Sequence, residues 1–155
     1  MNAPLLPTLA VLGFFAAFAL PGRAESPDAG TAAGFTAMLQ AATLEGTWAP
    51  ISGNRVGAEK ADRYEVARAE QQAGDRWVIV WKVTRQGQTI EYPIPSVVKF
   101  AGDSAVLILD EVPIGDGKAW SARVLFHRDT YAGRWWGGDG KGGTVSGIVR
   151  RTAAP

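Results

Sequence analysis

From Asp62 onward the chain alternates. Tyr64 and Val66 fall on one face of a segment and Arg63 and Glu65 on the other, and a period of two is the mark of a half-buried strand. The same pattern sets Trp77, Ile79, Trp81 and Val83 against Lys82 and Thr84 over residues 76–84, and Ile90, Tyr92 and Ile94 against Thr89 and Glu91. It is clearest over residues 119–127, where Trp120, Ala122, Val124 and Phe126 oppose Ser121, Arg123 and His127. Further strand segments open at Trp48 and run over residues 105–109, 130–136 and 144–151. Turn residues separate them, among them Gln86 with Gly87, Gly102 with Asp103 and Arg128 with Asp129. Pro93 and Pro95 donate no ladder hydrogen bonds, which predicts a bend that splits the fourth strand from residues 97–100. Eight short strands with no helix between them predict an all-β fold, an eight-stranded antiparallel up-and-down barrel, with a sandwich as the alternative.

The chain ahead of the strands has a different period. Phe35, Met38, Leu39 and Ala42 stand at i, i+3, i+4 and i+7, the stripe of one short amphipathic helix over residues 35–43 that Gly46 ends. Glu25 to Gly34 is small and polar and reads as a flexible mature N-terminus. Upstream, an apolar run of 12 residues from Leu9 to Leu20 is followed by Pro21 and the small-x-small triplet Gly22, Arg23, Ala24. That is a signal-peptide pattern with cleavage expected after Ala24, which implies a periplasmic or extracellular protein. The run falls short of the roughly 20 apolar residues a spanning helix needs. The expected organisation is a signal peptide over 1–24, a flexible segment over 25–34 and one β-barrel domain over 35–155.

Charge and composition narrow the partners. Of the 16 Lys and Arg only Arg23 precedes the expected cleavage point, so the mature chain carries 15 basic and 15 acidic residues and no net charge. A neutral chain has no electrostatic footprint for nucleic acid or an anionic membrane, so neither partner is expected. With no Cys there is no disulfide, thiolate metal site or Cys nucleophile. A mature chain of 131 residues, 24 fewer than 155, builds a hydrophobic core without staples, and a monomer is expected.

No reaction is spelled out by the remaining residues. His127 is the only histidine and has no Cys or second His for a transition-metal site; it is expected at a strand end facing solvent. The run from Gly137 to Gly143 lacks the spacing of a phosphate-binding loop and reads as a hairpin loop. Asp110, Glu111 and Asp116 lack the ligand spacing of a calcium loop. The serines have one possible His partner and no nucleophile elbow. Neither a metal, a cofactor nor a catalytic residue is expected.

Aromatic residues carry the remaining information. Six Trp exceed what a core of this size needs, and the adjacent Trp135 and Trp136 must point to opposite faces of their strand. Either the rings line an open cavity or they plug the barrel, and an eight-stranded barrel is wide enough for both. Alternation places Trp77, Trp81, Tyr92, Trp120 and Phe126 inside, with Trp81 and Trp120 as leading contacts for a ligand.

Gly46, Thr47 and Trp48, at the start of the first strand and just after a short helix, resemble the Gly-x-Trp signature of lipocalins and the wider calycin group. That resemblance implies a Trp closing one end of the barrel under an Arg from the last strand, a role for which Arg151 and Arg150 are the candidates. The second half is similar to a family of exported bacterial proteins without assigned activity, through VKFAGD at 98–103, ARVLF at 122–126, YAGRW at 131–135 and the pair Gly142 and Gly143. The Gly-x-Trp-x-Gly-x-Gly run of haem-binding barrels is absent. Three function classes follow: a binding module for a small apolar or aromatic ligand, a protein-interaction or inhibitor-type barrel with a plugged interior, and, last, an enzyme.

Overall fold

The computed structural model of the protein describes residues 28–114 and 117–151. The expected signal segment with its cleavage point at Ala24 lies outside these residues, as does Asp116. Among the described residues one helix, α1 (Ala32–Leu39), precedes nine strands: β1 (Ala42–Ser52), β2 (Arg55–Val56), β3 (Lys60–Ala73), β4 (Arg76–Arg85), β5 (Gln88–Ala101), β6 (Ser104–Ile114), β7 (Lys118–His127), β8 (Thr130–Gly137) and β9 (Gly142–Arg151). β2 is a two-residue hairpin partner of the end of β1. The other eight strands are all antiparallel, each paired with the next, and β9 returns to pair with β1 from Ala42↔Arg151 to Pro50↔Gly143. The fold is thus the closed eight-stranded up-and-down barrel, which leaves no free sheet edge along that seam.

α1 starts three residues before the expected position, inside the stretch read as flexible. Thr31 caps it, its Oγ1 accepting from the Gly34 N–H at 3.0 Å, and Ala29 just before it is fully buried. Phe35, Met38 and Leu39 form the expected buried stripe. The helix ends at Leu39 rather than at residue 43, because Ala41 takes a positive φ of 49° and gives its N–H to Ala67 O at 2.9 Å. β1 then begins at Ala42, six residues before Trp48. Ala42 and Leu44 are buried while Thr43 and Glu45 are partly exposed, a strand alternation hidden under the last position of the helical stripe.

The expected split at Pro93 and Pro95 does not occur within the strand, since β5 is continuous; it falls between strands instead. The ladder between β5 and β6 starts only at Val97↔Ile108, leaving residues 88–96 and 109–114 without pairs across that gap. Along a strand successive N–H groups point to opposite sides. The Val98 N–H donates to Asp75 O on the β4 side, so positions 93 and 95 face β6. The two prolines therefore spare the ladder to β4, where they pair with Val80 and Val78, and delete the donors that would have zipped β5 to β6.

In an up-and-down barrel alternate turns share an end. α1 covers the end carrying the turns at Gly74, Gly102 and Arg128, where the backbone at Gly30 lies against Gly102. Under it Phe35 makes edge contacts with Trp77, Phe126 and Phe100 at centroid distances of 5.3, 5.5 and 6.3 Å. This end is plugged; the other is not.

Candidate functional site

Inward residues of the uncovered half enclose a cavity of about 510 Å³ that opens at the end away from the helix. Phe126, 1% exposed, and Leu107 are part of its wall, and Ile94, Val124 and Val145 continue it from β5, β7 and β9. Its charged neighbours stand on β3 and β4: Arg63, which pairs with Glu45 at 3.0 Å and Glu65 at 3.1 Å, and Lys82, opposite Glu65 in register. Val83, Tyr64, Ile90 and Tyr92 are large hydrophobic residues left 38–53% exposed, three of them in the cavity wall and Ile90 opposite Val83. An exposed apolar patch at a cavity mouth is a common mark of a binding site.

The five residues expected inside separate into three groups. Trp81, Tyr92 and Phe126 line the cavity. Trp77 points inward but belongs to the core beneath α1, and beside it a second, shallower hollow of about 480 Å³ opens where β5 parts from β6. Trp120 does not reach the main cavity. Its ring rests on Trp135 at 5.3 Å and borders a side hollow of about 260 Å³ with Leu109 and Ser121. The wall position is held by Trp135, whereas Trp136 lies on the outer face with the Arg123 guanidinium 5.5 Å from its ring. Alternation therefore holds for the Trp pair, and parity along β8 makes Tyr131 a wall residue with Trp135.

Trp48 does not pack under Arg150 or Arg151. Gly46, Trp48 and both arginines all lie on the seam that closes the barrel, but Arg151 stands opposite Ala42 and Arg150 opposite Thr43. At about 3.3 Å per residue that is some 16–20 Å along β1 from Trp48. The early start of β1 is the reason: six residues precede Trp48, and these meet the end of β9. The cation over Trp48 is Lys60, its register partner on β3, with Nζ 5.0 Å from the ring centroid. Trp135 meets the same indole edge-on at 5.9 Å. Arg150 instead bonds Glu45, extending the Arg63–Glu45 pair over the outer face.

Tyr64, Tyr131 and Trp81 give the cavity a polar corner. The Tyr64 ring meets Trp81 at 5.9 Å, and its hydroxyl donates to Asp62. Burial first, then the bond to Asp62 and its charge, push the Tyr64 phenol well above its ordinary range. Tyr131 is raised by burial and, second, by the charge of Asp62. The Tyr131 hydroxyl and Trp81 Nε1 are buried without a hydrogen-bond partner. Raised values mean that the folded state favours neutral phenols. Stability from these rings is therefore held below pH 10.0, the ordinary midpoint, and lost as pH rises above it. Spectrophotometric titration is expected to show that Tyr64→Phe and Tyr131→Phe each remove little of the tyrosinate absorbance developed at pH 10.0; a loss of a third of it in either variant would contradict the burial described.

Away from the cavity, Ser104 Oγ lies 3.1 Å from His127 Nδ1 and Asp103 Oδ1 lies 3.3 Å from the same nitrogen. A relay needs the nucleophile and the acid on different imidazole nitrogens, so this trio on the helix-covered end is not a triad. Asp110 takes the Arg123 guanidinium at 2.7 Å, and Glu111 lies in a register shift of β6 with φ 50°. Compared with protein-family models, curated proteins and solved structures, the chain matches none.

Proposed function

We propose that this barrel is a binding module for a small, mostly apolar or aromatic ligand. The observation that carries the reading is the open cavity of about 510 Å³, walled by aliphatic and aromatic side chains. Its volume lies within the roughly 300–1,000 Å³ common for small-molecule sites. Binding is favoured over catalysis because the charged residues at the cavity, Arg63, Glu65 and Lys82, stand on β3 and β4, with a hydrocarbon and ring interior. The open interior supports this reading over that of an inhibitor-type barrel with a filled core. The strand count and the Gly46, Thr47, Trp48 triplet support kinship with lipocalin-like barrels, and the Leu9–Leu20 run with Ala24 supports export to the periplasm or beyond.

A neutral apolar dye such as 1-aminoanthracene tests the proposal. Titration is expected to quench tryptophan emission saturably with one dye per chain. Ala122→Phe adds a ring to the wall and is expected to weaken dye binding roughly tenfold or more while the melting temperature changes little, because the ring grows into open space. Linear, non-saturable quenching that Ala122→Phe leaves unchanged would defeat the reading.

A further inference from the structure

A buried N–H or O–H without a partner is uncommon in folded proteins and destabilising. Among the described residues three such atoms stand in this barrel: Trp77 Nε1, Trp81 Nε1 and the Tyr131 hydroxyl. Trp77 belongs to the core beneath α1. Trp81 and Tyr131 are cavity wall residues, and Tyr131 is 3% exposed. Both side chains border the cavity. The indole N–H is a donor only. What both groups lack in common is an acceptor.

We propose that the cavity's ligand is a neutral molecule with an apolar or aromatic body and one uncharged oxygen acceptor, of the ketone, ester or amide class, which takes hydrogen bonds from the Tyr131 hydroxyl and Trp81 Nε1. The proposal rests on the cavity being the binding site and adds the chemistry of the guest.

Charge selects among oxygen-bearing guests. The Asp62 carboxylate sits at this corner, held by the Tyr64 hydroxyl, and it disfavours a second carboxylate beside it. The Arg63 guanidinium does not offset it, being shared by Glu45 and Glu65. An ammonium suits the Asp62 carboxylate but has no lone pair for the two donors. A carbonyl has the lone pairs and no charge. Tyr64 does not compete for it, because its proton already goes to Asp62.

Four probes of one shape decide the matter: naphthalene, 2-acetylnaphthalene, 2-naphthoate and 2-naphthylmethylammonium, titrated by tryptophan quenching against the full chain. The ketone is expected to bind roughly tenfold tighter than the hydrocarbon, a gain typical of one or two well-placed hydrogen bonds. The two ions are expected to bind more weakly than the ketone. Tyr131→Phe, which removes one oxygen, and Trp81→Phe, which removes the indole N–H, are each expected to shrink the ratio of ketone to naphthalene affinity toward one. If naphthalene binds but the ketone gains nothing and Tyr131→Phe changes neither, the acceptor proposal is overturned and the apolar cavity stands. Tightest binding by either ion also overturns it. If no probe binds, both readings fall together.

Discussion

Phe35→Ala is expected to lower stability by about 3–5 kcal/mol, the range for deleting a fully buried phenylalanine. Phe35 is 0% exposed and is the point at which the helix enters the barrel. Its ring edges meet Trp77, Phe126 and Phe100, each from a different strand. Such aromatic pairs contribute roughly 0.5–1.5 kcal/mol beyond the area they bury. The truncation also leaves a void beneath a helix of eight residues, which is too short to hold its own shape in water. The melting temperature followed by circular dichroism should fall by roughly 10–20 °C, and Phe35→Leu, which refills part of the volume, by distinctly less. A melting point that stays at the wild-type value would mean that the barrel closes this end without the helix, contrary to the packing described.

The strand pattern was readable because the inward face of each strand is apolar over most of its length while the outward face carries charge. Trp77, Ile79, Trp81 and Val83 on β4 and Trp120, Ala122, Val124 and Phe126 on β7 all face inward as their alternation indicates. Boundaries were less legible where two periods overlap. Ala42 satisfies both the helical stripe and the strand alternation, and only the positive φ at Ala41, a tertiary consequence of the bond to Ala67 O, decides between them. The prolines of β5 were correctly flagged as ladder breakers. Which of the two neighbouring ladders they break depends on the direction of each N–H, which strand parity alone does not give before the register is known.

For the site, inward direction was legible and depth along the axis was not. Trp77 and Trp81 share a face, yet four residues of strand carry one under the helix and the other into the cavity wall. Tyr131 is absent from the expected wall residues, since Gly133 interrupts the apolar face of β8; the parity it shares with Trp135 is the signal in the sequence that points to it. Trp48 and Arg151 sit on the same seam, but their offset depends on where β1 starts, and a six-residue difference there moved the contact to Lys60.

The second large effect is expected at that seam. Gly46 and Gly147 stand opposite each other at the middle of the β1–β9 ladder. A Cβ built on Gly46 would lie 1.9 Å from Ser146 O, and one on Gly147 would lie 2.2 Å from Glu45 O. In both cases the obstacle is the partner strand's backbone, so no rotamer change relieves it; the strands must move apart by an ångström or more. Overpacking alone costs about 1–3 kcal/mol, and parting the ladder adds roughly 0.5–1.5 kcal/mol for each hydrogen bond lost. Gly46→Ala is therefore expected to destabilise by about 3–5 kcal/mol, and Gly147→Val to leave little folded protein. The separation also frees the edges of β1 and β9, so amide exchange should quicken there before it does in β6 and β7, whose ladder is separated from the seam by β8. Gly138→Ala is the matched control: nothing lies within 4 Å of its Cβ, and the change should stay within about 0.5 kcal/mol. Equal denaturation midpoints for Gly46→Ala and Gly138→Ala would show that β9 does not close onto β1 at this distance, and the barrel would then have to be redrawn as an open sheet.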